Sequence, residues 1–194
     1  MNLTQKGATA EVGRFEELKV TMRWTTAADF DLAVVYETVK GTPGLVYFGD
    51  RGKLNEFPYI GLSGDQGVND QAGDKQESLS ITKLDGMKKL WILVWDYGQV
   101  QKGNAARFAD SDIQLHLQDD NGKTYQVALN TGGTGNVAVI ATIDNTDPLG
   151  PRLINTSKTG TLNGLKKLQQ LLDIIQGYDD DPDMNIDLRP ADET

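Results

Sequence analysis

The sequence contains no cysteine and a single histidine. The absence of cysteine excludes disulfide bonds, thiolate metal sites and every catalytic mechanism that needs a thiol. A zinc site is excluded as well, because it needs more histidine or cysteine ligands than the chain has. The histidine, His116, alternates with Leu115 and Leu117, and this pattern predicts a solvent-facing strand residue rather than a catalytic base.

Long apolar runs and basic segments are also missing. No apolar run reaches the roughly 18 residues of a membrane-spanning helix. Residues 1–6 have no apolar signal region, so we expect a cytoplasmic protein without a membrane span. The net charge is −9, and residues 179–194 contain seven acidic residues and one arginine, which is typical of a solvated tail. Because no basic stripe exists to meet phosphates, nucleic acid is not an expected partner.

Short strands separated by turn signals make up most of the chain. Residues 18–24 alternate apolar and polar side chains, whereas residues 89–96 are almost entirely apolar and predict a central strand covered on both faces. Residues 97–110 are expected to form an irregular connection, and residues 152–155 a short edge strand. Roughly nine strands followed by one helix are typical of an all-β fold, an antiparallel β-sandwich with a C-terminal α-helix.

Three segments are predicted along the chain. Residues 1–160 form the sandwich domain, residues 161–177 an amphipathic helix packed on or beside it, and residues 178–194 an acidic, flexible tail. The leucines of the helix recur at helical spacing over 162–176, and docking of this face on the sandwich is the favoured interpretation. The alternative presents the helix to a partner or a membrane surface, although the acidic tail weakens attraction to anionic lipid.

One acidic, glycine-rich loop organises the prediction of function. Residues 63–78 combine three glycines, which allow sharp turns, with four carboxylates: Asp65, Asp70, Asp74 and Glu77. Carboxylates this close repel one another unless a cation separates them, and hard oxygen ligands in a flexible loop suit Ca²⁺. The spacing differs from an EF-hand, with Gln76 at its twelfth position. A solvated, turn-rich loop is the alternative.

A second acidic motif lies upstream of this loop. Asp29 and Asp31 open an apolar segment that reads as a buried strand over 31–39. Because side chains alternate along a strand, the two carboxylates lie on the same side. The pair and the loop together predict a shared calcium site assembled from distant segments.

The order of these motifs resembles the TerD domain of tellurium-resistance and general stress proteins. Asp-Phe-Asp-Leu at 29–32, Leu-Val-Tyr-Phe-Gly-Asp at 45–50 and the Ser-Gly-Asp loop ending in Gln-Glu at 76–77 carry the resemblance, which covers roughly residues 16–145. It implies a cytosolic, calcium-binding β-sandwich of a bacterial stress operon. The implied partners are other stress-operon proteins and a membrane-embedded protein that would bring the chain to the inner membrane.

The resemblance also implies a set of calcium ligands. Gln66 replaces the asparagine of the family motif, and Asn69 could serve instead as a neutral oxygen donor. The implied ligands are therefore Asp29, Asp31, Asp65, Asn69, Asp70, Asp74 and Glu77. Lys75 and Gln76 interrupt the acids of the loop, and the smaller negative charge is expected to lower calcium affinity or to reduce two adjacent ions to one. Asp110 and Asp112 are expected to mark a loop rather than to bind an ion.

The function predicted from these features is a non-enzymatic binding or scaffold module. A direct reduction of tellurite is excluded by the missing thiols, dinucleotide fingerprint and histidine cluster. The main alternative is a calcium-dependent carbohydrate-binding sandwich with four aromatic candidates, Trp24, Trp91, Trp95 and Tyr97, although core packing is the better interpretation of Trp24 and Trp95. A metal-dependent hydrolase with paired carboxylates is disfavoured, because an exposed loop does not push two pKa values apart.

Overall fold

The computed structural model of the chain describes residues 1–26, 28–63, 73–104, 108, 111–131, 133 and 135–177. These residues form thirteen strands and two helices. The strands are β1 (Asn2–Leu3), β2 (Thr9–Glu11), β3 (Leu18–Trp24), β4 (Phe30–Thr38), β5 (Pro43–Val46), β6 (Gly52–Lys53), β7 (Ile60–Leu62), β8 (Lys75–Ile81), β9 (Met87–Asp96), β10 (Gln114–Asp119), β11 (Thr124–Ala128), β12 (Val137–Asp144) and β13 (Arg152–Gly160). The helices are α1 (Tyr97–Lys102) and α2 (Leu168–Gln176).

The strands form two sheets. The seven-stranded sheet has the order β1-β11-β10-β3-β8-β7-β6, and the six-stranded sheet has the order β2-β13-β12-β9-β4-β5. Neighbouring strands run antiparallel, as expected, except that β1 runs parallel to β11. Parallel pairing is possible here because β1 and β11 are far apart in sequence and are not joined by a hairpin, which would force them antiparallel.

Apolar side chains from both sheets meet in one core. The inner side of the seven-stranded sheet contributes alternate residues of β3 such as Val20 and Met22, and the six-stranded sheet contributes Leu90, Ile92 and Val94 of β9. The intervening residues of β9 belong to a second apolar cluster on the other face of the six-stranded sheet, together with residues of α2. The prediction that the apolar strand around residues 89–96 is covered on both faces is therefore confirmed.

Helix α2 is shorter than the leucine spacing predicts, because it begins at Leu168. Leu162 is buried before the helix begins, and Gly164 adopts a left-handed conformation with φ of 82° that interrupts helical geometry. Leu171 and Ile174 are buried in the second apolar cluster, so the apolar side of α2 packs against the six-stranded sheet. No helix in the described part of the chain is long and apolar enough to cross a membrane.

Two further expectations are corrected by the structure. Part of the predicted irregular connection is helix α1, which is capped by the carboxylate of Asp96 at its start and by Gly103, in the left-handed conformation, at its end. The predicted edge strand extends to Gly160 and pairs on both sides, with β2 and with β12. The additional strands, which bring the described total above the expected nine, have two to four residues and are too short to show an alternating pattern.

Candidate functional site

The predicted acidic residues that the structure describes lie where several strands begin or end. Strand β4 begins beside the last residue of β9, and β8 begins beside the last residue of β3. The two sheets meet here, because the rings of Trp24 and Phe30 contact each other with centroids 5.9 Å apart. We call this region the acidic end and define it by Asp29, Asp31, Asp74, Glu77 and Asp112.

Glu77 links the two sheets at the acidic end. Its side chain is on the inner side of β8 and is only 5% exposed. The backbone N–H of Leu32 in β4 donates a hydrogen bond of 2.7 Å to Glu77 Oε2. Strand β5 pairs with β4 only from Val34 onward, so the carboxylate accepts a strand N–H at a position that no β5 residue covers. A buried carboxylate thus replaces a strand neighbour at this edge.

Asp31 and Asp29 approach the same region from the six-stranded sheet. Asp31 is 8% exposed and pairs in register with Trp95 of β9, whereas Asp29 is half-buried just before β4 begins. By the alternation of the strand, Asp31 shares the side of Ala33 and faces the second apolar cluster. The structure therefore places Asp29 and Asp31 at the same end of the molecule as Glu77, with Asp31 and Glu77 on either side of the β4 backbone.

The ammonium group of Lys75 binds the backbone between β3 and β4. Lys75 is 8% exposed, and its Nζ donates hydrogen bonds to the carbonyl oxygens of Thr26, at 2.7 Å, and Ala28, at 3.3 Å. The same atom lies 5.8 Å from the centroid of the Trp24 ring. These contacts of Lys75 could not be predicted from sequence, because the two carbonyls that it binds are far away along the chain.

Asp112 binds the turn that follows β3. The N–H groups of Thr25 and Thr26 donate to Asp112 Oδ1 over 2.8 Å and 3.3 Å, and the Thr25 hydroxyl donates to Oδ2. Burial by itself would raise the pKa of Asp112, but these hydrogen bonds outweigh it and the pKa is lowered. Asp112 is therefore a loop anchor, as the sequence analysis expects.

Asp74 is exposed and lines an open groove of about 640 Å³ on the outer side of the seven-stranded sheet. Arg23 and His116 line the same groove. His116 is half-exposed between buried Leu115 and Leu117, so its predicted position on the outer side of a strand is confirmed. Burial lowers the pKa of His116, and the charge of Arg23 lowers it further.

Three predicted ligands, Asp65, Asn69 and Asp70, lie outside the described residues. The described residues on both sides of that segment are held at the acidic end: Ser63 N–H donates to Ser78 O over 2.9 Å, and Gly73 N–H donates to Thr25 O over 3.0 Å. Within the described ranges, no group of three or more Asp, Glu or His side chains could hold a metal ion. The predicted ligands among the described residues all offer carboxylate oxygens, which are hard ligands that fit Ca²⁺. They do not complete a metal site by themselves.

The tryptophans considered for carbohydrate binding are buried. Trp24 and Trp95 lie in the apolar cores, as the core interpretation predicts, and Trp91 packs in the second cluster. Tyr97 is 36% exposed, and its ring contacts that of Phe48 with centroids 5.0 Å apart. Phe48 could not be identified from the sequence as exposed, because an aromatic residue near a turn carries no signal of exposure.

Comparison with known proteins gives structural but not sequence relatives. No protein-family model matches the chain, and no curated protein matches it. The fold is similar to the crystal structure of SAV2460, a protein of unknown function, with a TM-score of 0.52 and 14% identity, over 75% of this chain and 92% of that chain. A homologue of the telluride resistance protein TerD from Streptomyces coelicolor A3(2), SCO6318, gives a TM-score of 0.48 and 13% identity, over 79% of this chain and 92% of that chain.

Proposed function

We propose that this chain is a TerD-like, calcium-binding protein that acts as a non-enzymatic binding or scaffold module in a tellurium-resistance or stress-response system. The motif order of residues 29–32, 45–50 and 63–77 supports this assignment. The fold supports it too, because the two sheets share one apolar core, as the sheets of a TerD-like β-sandwich would.

The observation that carries the proposal is the burial of Asp31 and Glu77 at one end of the molecule. Buried carboxylates are costly unless hydrogen bonds or opposite charge compensate them. Glu77 accepts the N–H of Leu32, the residue that follows Asp31, so the two buried carboxylates lie close along the chain of β4 but on opposite sides of its backbone. The described ends of the segment that contains Asp65 and Asp70 are bonded to the same region.

The residues that would hold calcium are the seven predicted ligands, Asp29, Asp31, Asp65, Asn69, Asp70, Asp74 and Glu77. When bound, calcium supplies positive charge that offsets the mutual repulsion of the carboxylates. The protein's own contribution is to hold Asp31 and Glu77 in place through strands β4 and β8. Such a region would present a rigid surface to other stress-operon proteins, in the cytoplasm or at the inner membrane through a membrane-embedded partner.

Calorimetric titration of chelator-treated protein with Ca²⁺, and separately with Mg²⁺, tests this function. We expect saturable binding that is selective for Ca²⁺ and is weakened by about 10–100-fold in Asp31→Asn. Calcium at about 100 times its Kd should also raise Tm by about 5–10 °C, because it binds only the folded state.

Asp85→Asn is the matched control, because Asp85 is an exposed acid in the turn between β8 and β9, at the opposite end of the molecule. It removes the same charge and should leave calcium affinity unchanged. Identical melting curves in Ca²⁺, Mg²⁺ and chelator, with no heat of binding in a folded sample, would contradict the proposed function.

A further inference from the structure

The groove on the outer side of the seven-stranded sheet brings four hydrogen-bonding side chains together. Arg23 of β3 lies in register between Gln76 of β8 and Gln114 of β10. His116 follows Gln114 by two residues on β10 and therefore lies on the same side of the sheet. All four residues line the groove, whose volume of about 640 Å³ is within the range of sites that bind small molecules.

Three of these side chains are available to a ligand. Within the part of the chain that the structure describes, the guanidinium of Arg23 and the amides of Gln76 and Gln114 form no hydrogen bond or ion pair. A guanidinium carries five N–H donors and binds carboxylate and phosphate groups through paired hydrogen bonds. The groove thus contains one charged group of donors with an amide on either side of it.

His116 adds a further donor beside Arg23. The Gln126 amide donates to His116 Nδ1 over 3.2 Å, so the proton of the neutral ring is on Nε2. Burial lowers the pKa of His116, and the charge of Arg23 lowers it further, which shows that the two basic groups repel each other. An anion bound between them would attract both.

The other charged residues of the groove lie on the opposite side of Arg23 from His116. Asp112 and Lys75 are both bonded to the turn that follows β3, and Asp74 precedes β8 at the acidic end. None of these three residues forms an ion pair with Arg23 in the described ranges. The positive side of the groove is therefore the space between Arg23 and His116.

We propose that this groove binds an oxyanion, the carboxylate or phosphate group of a small molecule, between Arg23 and His116. The guanidinium supplies the charge and paired donors, the imidazole supplies its Nε2–H, and the amides of Gln76 and Gln114 bind the edges of the ligand. This site is independent of calcium binding, because none of these four residues belongs to the predicted calcium ligands.

The test uses His116 as a reporter, because the chain has a single histidine. Proton NMR of metal-free protein follows the C2–H signal of His116 during addition of sodium phosphate or sodium acetate, with ionic strength kept constant by sodium chloride. We expect a saturable shift with a Kd of about 1–10 mM, as for a ligand of few atoms. The bound anion should also raise the pKa of His116, because a nearby negative charge favours the imidazolium form. The ion that binds more tightly identifies the group of the natural ligand as phosphate or carboxylate.

Arg23→Gln should weaken binding of that ion by about tenfold or more, because the charged, paired donors are lost. Without the ion, the same substitution should raise the pKa of His116, since the repulsion by Arg23 is removed. Lys19→Gln is the matched control, because it removes the same charge from the exposed side of β3 outside the groove. It should leave the affinity for the ion unchanged.

Three results would overturn this proposal. A shift that does not saturate, or that sodium chloride alone produces to the same extent, would show general screening of charge. Equal affinity in Arg23→Gln and the wild type would show that the ion binds elsewhere. Equal weakening by Arg23→Gln and Lys19→Gln would show attraction by the overall charge of the sheet rather than by this groove. Both substitutions are at exposed positions, and an unchanged backbone amide spectrum verifies that each variant is folded.

Discussion

Single polar side chains join parts of this protein that are distant in sequence. The side chain of Asn136 is fully buried and bonds both the N–H and the carbonyl of Leu162, as well as the carbonyl of Asn104. Asn155 similarly donates to the carbonyls of Leu3 and Ala128. Each of these residues satisfies backbone groups in loops or at the last residue of a strand, and such groups would otherwise be costly to bury.

Asp112 extends this role to a charged residue and makes stability depend on pH. The pKa of Asp112 is lowered from the ordinary value of 3.8. The ionised carboxylate therefore makes its full contribution to the free energy of unfolding above that value. This contribution is lost as the pH falls through the lower pKa of the folded state. Asp112→Asn should therefore lower the urea midpoint at pH 7 more than at about pH 2.5. Asp85→Asn serves as the control and should show no such difference. Equal losses by Asp112→Asn at both pH values would contradict this role of the carboxylate.

Among the elements, α2 depends strongly on its surroundings. Its nine residues are fewer than the roughly 12–15 that an isolated helix needs for stability. Packing of Leu171 and Ile174 on the six-stranded sheet supplies part of the stability that the isolated helix would lack. The Lys158 ammonium stabilises the helix further, because it donates hydrogen bonds to the carbonyls of Ile175 and Gly177 at its C-terminal end.

Lys158→Met should therefore loosen α2 without unfolding the sheets. We expect trypsin to cleave after Lys166 or Lys167 about tenfold faster, because cleavage requires this segment to open locally. Lys19→Met, which removes an exposed lysine from β3, is the control and should leave the rate unchanged. An unchanged rate in Lys158→Met would show that apolar packing alone holds the helix.

The sequence predicted those elements that have a long, regular pattern. The apolar run of β9 and the outward position of His116 followed directly from periodicity. Strands such as β1 and β6 have two residues and show no period, and α1 depends on two caps rather than on an apolar face. The start of α2 was misplaced because leucine spacing continues through Gly164, where the backbone turns left-handed.

The candidate site was predictable in composition but not in arrangement. Its acidic residues could be identified from spacing, and the structure gathers Asp29, Asp31, Asp74 and Glu77 at one end. Sequence could not show that Glu77 bonds the backbone of Leu32, because that contact joins residues on two different sheets. The same limit applies to Lys75, whose backbone partners lie in a turn remote in sequence.

For the molecule as a whole, the two sheets differ in how they are covered. The six-stranded sheet has buried apolar side chains on both faces, whereas β3 and β10 of the seven-stranded sheet alternate buried and more exposed residues. Stability should therefore concentrate in β9 and β12. Hydrogen exchange of the native protein should be slowest in those two strands and fastest in the short edge strands. Slower exchange in β3 than in β9 would contradict this picture.

This difference in covering also determines where the chain can change during evolution. Every position from Leu90 to Trp95 is buried on one face or the other, so substitutions in this segment must preserve size and apolarity. On β3 and β10, every second position faces outward and can change its chemistry without disturbing a core. New binding specificities can therefore arise on the outer face of the seven-stranded sheet, while the six-stranded sheet preserves the fold.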